Sequence, residues 1–312
     1  MKAAVYKKYG PPNVLEVTEI EKPKPKDNEM LVKIHAATVT SGDVRLRASD
    51  FPPLFWFPAR LIFGLFKPKK KILGHELSGT IEAIGKNVTK FKVGDPIFGT
   101  TTMLKTGSYA EYICLPQEWK SGVVALKPEN LSFKEAAALP VGAMTAMFLL
   151  EKANLKRGQQ VLIYGASGSV GSYAVQLAKI QGTVVTGVCS GSNFEMVKSL
   201  GIDVVIDYKK EDYSQRKEKF DIVFDAVGKS TKSKAKKVLN TEGKYVTVKM
   251  LTKEKTENLE RIKELAEQGK LKPFIEKTFT LDEIVSAHEY VDSRRKRGNV
   301  VIEILQQNQN DV

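Results

Sequence analysis

A chain of 312 residues has room for two domains, each able to bury its own core. Its 42% hydrophobic and 27% charged content belongs to a folded globular protein and excludes a disordered or fibrous chain. The net charge of +13 comes mainly from runs such as Lys67–Lys71, Lys229–Lys237 and Arg294–Arg297. No aromatic-interleaved basic motif accompanies them, so a lysine-coated surface is expected and no nucleic acid. The two cysteines, Cys114 and Cys189, make neither a disulfide framework nor a metal-ligand spacing, which points to a reducing cytoplasm. MKAAVY opens directly as a strand with no leader pattern, and no apolar run reaches the length of a membrane span.

Residues 1–120 alternate short strands with turn signals: KAAVY, LEVTEI, MLVKIHAATV and LSGTIEAIG, punctuated by Pro11–Pro12, Pro23, Pro25 and Gly94–Asp95. That texture predicts an antiparallel, barrel-like β domain. Phe51–Lys71 interrupts it with aromatic and aliphatic groups, four prolines and a terminal basic cluster. It reads as a lid over a substrate pocket, as buried packing, or as a membrane-touching segment. From Lys127 the texture changes. Ser132–Glu135 is a capping-box signature opening a helix through AAALPVGAMTAMFLL, with a proline inside it.

Val161–Gly171 (VLIYGASGSVG) then reads as a buried strand, a turn of small residues and the start of a helix with Tyr173, Val175, Leu177 and Ile180 at helical spacing. Such a turn lets main-chain amides approach a pyrophosphate at the positive end of the helix. Gly165, Ala166, Ser167, Gly168, Ser169, Val170 and Gly171 are the candidates for that cradle, although the strict G-x-G-x-x-G frame puts Ala166 in the first glycine slot. An ordinary βα turn is the plainer reading of the motif alone. Downstream, TVVTGVCS, FEMVKSLG, VVIDY, DIVFDAVG, KAKKVLN and KYVTVKM alternate strand and helix, the pattern of a doubly wound parallel sheet. Helices over Glu257–Gln268 and Leu281–Val291, an extended IEKTFT and a last strand NVVIEI follow, and QQNQNDV reads as a disordered tail.

With these pieces in order, the chain resembles the medium-chain dehydrogenase/reductase superfamily, in its zinc-free quinone oxidoreductase branch. The motifs that carry the resemblance are VKIHAATVTSGDVRLR, LGHELSGTIEAIGKNVTKFKVGDPIFG, GSYAEYICLP, LPVGAMTA, GASGSVG, DYKKED and FDAVG. It implies an α/β protein: a GroES-like β-barrel-type catalytic domain from residues 1–122 and 253–312, and a Rossmann domain over 123–252 that binds NADPH. Zinc members carry a cysteine where Thr40 stands here. His75 and Glu76 remain, but LPVGAMTA offers no third donor, and a catalytic zinc needs three. His75 is therefore read as a structural, hydrogen-bonded histidine.

The second sheet strand ends in Cys189-Ser190-Gly191-Ser192-Asn193, with no carboxylate to meet a ribose 2′-hydroxyl, so Ser190 and Asn193 suit a 2′-phosphate and NADPH is expected over NADH. The resemblance further implies Tyr208 beside the adenosine, and Thr145 with Val227–Gly228 at the nicotinamide end. It puts Thr40 and Asp43 at the reaction centre, Thr40 as candidate donor to a developing oxyanion. Tyr6, Phe51 to Phe66 and Tyr109 are candidate stacking partners for a planar acceptor. Relatives carry a further helix and strand after KYVTV; here LTKEK leads almost at once into ENLERIKELAEQGKLKP, which predicts a shortened sheet edge and a monomer or an atypical dimer. The function expected is NADPH-dependent reduction of a quinone or an α,β-unsaturated carbonyl. A non-catalytic NADPH-binding sensor or adaptor, and an alcohol dehydrogenase with atypical metal ligands, stay open.

Overall fold

Ten-residue β3 (Glu29–Thr38) is the centre of the first half of the chain; β1 (Lys2–Tyr6) and β2 (Leu15–Glu19) precede it as an antiparallel ribbon. The structure, a computed structural model, describes residues 1–305, so the tail expected to be disordered lies outside the described residues. The chain divides into two units, residues 1–140 with 275–312 and residues 141–274. In the first, Met30, Val32 and Ile34 of β3 point into one core by strand alternation, and turns at each end let three strands pair with it. Helix α1 (Ser41–Ala48) opens on a capping box of Thr40 and Asp43 and closes at Ser49 in the left-handed region, φ 56°. Helix α2 (Pro53–Phe63) starts on proline, carries Pro58 inside it and stops at Gly64, φ 123°.

Next come β4 (Glu76–Ile84), β5 (Pro96–Thr100), β6 (Tyr112–Pro116), β7 (Val124–Leu126) and the short helix α3 (Phe133–Ala137). The Ser132–Glu135 capping box is present, but the single long helix expected after it is two. Proline has no amide to donate, so α3 ends before Pro140, which serves as the first residue of α4 (Pro140–Lys152).

In the second unit, β8 (Gln160–Tyr164), α5 (Ser169–Ile180), β9 (Val184–Cys189), α6 (Phe194–Ser199), β10 (Val204–Asp207), β11 (Phe220–Asp225), α7 (Lys232–Lys236) and β12 (Leu239–Thr247) alternate as predicted. The sheet runs β10–β9–β8–β11–β12, all parallel, over a core of Leu162, Val188, Ile206, Phe220 and Val223. Among the described residues it ends at β12, the shortened edge the sequence predicts, and the chain passes directly into α8 (Thr256–Glu267). The chain then returns to the first unit as β13 (Ile275–Thr280), α9 (Ile284–Asp292) and β14 (Asn299–Glu303), completing the order β13–β14–β3–β4–β5–β7 with β6 also on β3. Ile284, Ala287 and Val291 of α9 bury against Ala3, Tyr6 and Leu46.

The division falls elsewhere than at 122/123 and 252/253. β7 pairs with β5 and holds residues 123–126 in the first unit. Gln176 of α5 brackets Lys272, accepting from its amide at 2.8 Å and donating to its carbonyl at 3.0 Å, which holds the segment after α8 in the second. Among the described residues, no helix is long and apolar enough to cross a membrane.

Candidate functional site

The turn after β8 is built by three glycines, each for a different reason. Gly165 has φ +84°, a left-handed conformation that disfavours other residues. Its amide and that of Ala166 both donate to the Val188 carbonyl, at 2.8 and 3.1 Å, fastening the turn to β9. A Cβ on Gly171 would lie 2.1 Å from the Gly165 carbonyl oxygen, so only glycine lets α5 approach the strand this closely. A Cβ on Gly168, the residue before α5, would lie 3.6 Å from the Gly165 carbonyl oxygen, an ordinary contact, and the helix start has no side-chain cap. The first amides of a helix have no acceptor within the helix, so those of Ser169, Val170 and Gly171 are available to an anion. Ala166 is fully buried, and its methyl lies against Gly187 of β9, where a second side chain would collide. The alanine in the glycine slot is accommodated by a glycine across the sheet.

Around this turn the structure gathers most of the expected cofactor residues. Asn193 donates its side-chain amide to the Ser167 hydroxyl at 3.0 Å, and Ser190 lies hydroxyl to hydroxyl with Ser192 at 3.2 Å. α4 packs on α5 through Gly142, where a Cβ would meet the Ser169 hydroxyl and the Tyr173 ring, and half-buried Thr145 follows on the same helix. Val227 reaches Gly165: a Cβ there would lie 2.5 Å from Val227 Cγ1. Tyr208, 52% exposed, shares a shallow groove with Tyr164, Tyr213, Lys229 and Lys234.

Two carboxylates here lie within quoted motifs, FDAVG and DYKKED, but their roles are visible only in the fold. Asp225, fully buried, accepts from the amides of Val227, Gly228 and Ser230 at 3.2, 2.9 and 3.0 Å and from the hydroxyls of Tyr245 and Thr247. It positions the FDAVG loop. Asp207 ends β10 in register with Cys189, and its carboxylate sits where a Cβ on Gly191 would come within 2.7 Å. The expectation of no carboxylate at the end of the second strand is corrected: one arrives from the neighbouring strand, which strand pairing decides and local sequence does not.

In the first unit Asp43 is fully buried and fully used. It accepts from the Thr40 amide and hydroxyl at 2.9 and 2.5 Å, the Gly74 amide at 3.0 Å and His75 Nδ1 at 2.6 Å. Burial alone would raise its pKa, but the His75 imidazole and these hydrogen bonds outweigh it and hold the carboxyl well below the usual range. An ionised carboxylate only accepts, so His75 Nδ1 carries a proton and its Nε2 is the free ring nitrogen, on a side chain 25% exposed. Thr40 gives its one proton to Asp43 and accepts from the Asp43 amide. The picture of Thr40 and Asp43 as groups facing substrate is revised. Thr40 caps α1, Asp43 orients His75, and the partly exposed side chain of the three is the histidine.

Nearby, Lys70 donates to Thr101 Oγ1 at 3.1 Å, and burial lowers its amine to about 8. Tyr6 and Tyr109 are core residues at 1% and 0% exposure, Tyr109 donating to the Thr38 carbonyl, so neither stacks on an acceptor. Glu76 accepts from the Thr38 hydroxyl. Among the described residues no group of three His, Cys, Asp or Glu side chains is placed to hold a metal, so the donor set does not fit a catalytic zinc. Burial pushes the thiols of Cys114 and Cys189 up to about 11, which leaves them protonated and poorly nucleophilic at neutral pH.

Residues 26–128 match the family of alcohol dehydrogenase GroES-like domains, and residues 169–275 the family described as zinc-binding dehydrogenase. The chain is 34% identical to a 2-methylene-furan-3-one reductase of Solanum lycopersicum over 97% of its own length and 79% of the relative's. It is 30% identical, with the same coverage, to a chloroplastic NADPH-dependent alkenal/one oxidoreductase of Arabidopsis thaliana. Its fold matches that of a quinone oxidoreductase from Coxiella burnetii with a TM-score of 0.83 at 28% identity, over 98% of this chain and 99% of the other.

Proposed function

Because the chain belongs to the medium-chain dehydrogenase/reductase superfamily, in its quinone oxidoreductase branch, we propose that it is an NADPH-dependent reductase of quinones or α,β-unsaturated carbonyls. The observation that carries the reading is the uncapped start of α5 behind Gly165, Gly168 and Gly171. The amides of Ser169 to Gly171 hold a pyrophosphate, Val227–Gly228 and Thr145 border the nicotinamide, and Tyr208 stands by the adenosine. Ser190 and Asn193 receive the 2′-phosphate; Lys209 and Lys210 add positive charge, and Asp207 opposes it. When bound, the reduced nicotinamide supplies the hydride.

Hydride arrival at a quinone or an enone leaves negative charge on the acceptor oxygen, which needs a proton. Thr40 has none to spare. His75 Nε2 is our candidate relay: it takes up a proton from solvent and passes it to the acceptor oxygen, while Asp43 holds the ring through Nδ1. His75→Gln should lower kcat about a hundredfold with little change in NADPH affinity. Following NADPH absorbance with a panel of quinones and enones in EDTA tests the function; NADPH binding without turnover of any acceptor would overturn it and favour the sensor reading. The free thiols Cys114 and Cys189 support a reducing compartment, and we place the protein in the cytoplasm.

A further inference from the structure

We infer that α2 and the loop after it form a docking surface for an anionic lipid bilayer. The helix is anchored from one side only. Phe63 stacks on Phe51 at 5.8 Å and both pack on the first unit's core, while the Tyr9 hydroxyl donates to the carbonyls of Phe63 and Gly64 at 3.0 and 2.9 Å. Arg60 lies over the Tyr9 ring at 4.0 Å and over Trp56 at 5.3 Å, and its guanidinium donates to the Ser49 hydroxyl. The other side is bare: Phe55 61%, Phe57 58%, Leu61 51%, Ile62 54% and Phe66 90% exposed, with Trp56 at the margin, 43%. Buried packing, one reading of this segment from sequence, is excluded for these six residues. Contiguous apolar surface of this kind marks a contact with something else.

Charge identifies the occupant. No Asp or Glu occurs between Phe51 and His75. Exposed Lys67 and Lys71 follow the helix directly, and the Tyr6 amide donates to the Lys71 carbonyl at 2.9 Å, which brings exposed Lys7 and Lys8 alongside. Asp50, the acid just before α2, is paired with Arg294 at 3.6 Å, which adds the Arg294–Arg295 turn. Three segments distant in sequence thus make one basic rim around an aromatic face. Lysine is depleted in protein–protein interfaces, and a second copy docked on this face would oppose rim to rim, like charge to like. A sheet of anionic headgroups over acyl chains satisfies both parts. At eleven residues, about 16 Å long, the helix lies in the interface and does not span. Pro52–Pro53 and Pro58 limit its freedom before docking.

The test uses the full-length protein and vesicles of phosphatidylcholine with and without phosphatidylserine. Co-sedimentation is expected with the anionic vesicles only, weakening as salt rises. Lys67→Gln and Lys71→Gln should each weaken it about fivefold. Ile62→Ser with Phe66→Ser, both on exposed positions, should abolish it while leaving NADPH binding unchanged. In a Trp119→Phe background, Trp56 emission should shift to the blue and be quenched by brominated lipid. Absence of co-sedimentation with anionic vesicles, binding that survives the Ile62/Phe66 double variant, or self-association through this face would each overturn the proposal. Because the readout is binding, it is independent of whether any acceptor is turned over.

Discussion

Asp43 and Asp225 are each fully buried, and each spends its oxygens on backbone amides next to a residue that must be positioned. For Asp43 that residue is His75. Asp43→Asn would put an amide donor against Thr40 or His75 and strip the imidazole of its counter-charge; unfolding in urea should show a loss of about 3 kcal/mol. In the cofactor site proposed above, Asp207 is the charge that opposes a 2′-phosphate. Removing its charge with Asp207→Asn should shift the ratio of NADPH to NADH affinity about fivefold toward NADPH, measured by cofactor titration, since a unit charge near a phosphate in a half-exposed site is worth about 1 kcal/mol. His288 governs an acid transition. It is buried, accepts from Arg47 at its Nδ1, and burial with the Arg47 charge lowers its pKa to about 4. Between about pH 6.5 and 4 the unfolded chain therefore binds a proton at this position that the folded chain does not. Stability should fall through that window as pH drops, by about 3 kcal/mol, and His288→Gln should flatten the urea midpoint over the same range.

At the level of elements, the turn between β8 and α5 separates two glycines needed by the backbone, Gly165 and Gly171, from one, Gly168, that the backbone does not need. Gly165→Ala forces a left-handed alanine against Val227 and should cost about 2 kcal/mol of stability. Gly168→Ala meets only the Gly165 carbonyl oxygen at an ordinary 3.6 Å, in a backbone region alanine accepts, so its melting temperature should hold while NADPH binding weakens. A loss of stability at Gly168 equal to that at Gly165 would show that the space above Gly168 is not kept for a ligand. The motif was readable as small residues in the right order. Which glycine served which purpose was not, because φ and close approach are properties of the folded turn. The same holds for Pro140. Its presence in a helical stretch was plain, but whether it kinks one helix or starts a second depends on where α3 finds its packing on β3 and β4.

For the whole molecule, the edge of the second unit's sheet sets the expected assembly. β12 pairs only with β11, its outward-running stretch carries Asn240, Glu242 and Lys244, and the register skips from Leu239 to Lys244 opposite Phe220 and Ile222. Charges and a bulge on an edge oppose strand addition by another chain. Sedimentation should therefore find a single chain; a salt-resistant dimer through β12 would contradict this.

Local sequence by itself determined that a β-rich part and an alternating strand–helix part exist, most of the order of their elements, and the glycine turn. These are short-range properties: period, turn chemistry and residue type within a few positions. Tertiary structure alone decided that Thr40 is a cap, that Asp43 commits His75 to one proton arrangement, that Asp207 stands under the Ser190–Asn193 loop, and that three distant lysine and arginine segments ring α2. Each of these depends on which segments pair across long sequence separations. The turn that the chain announces from Val161 to Gly171 is thus completed by the Val227 side chain, an asparagine from position 193 and a glycine at 187, none of which belongs to the motif.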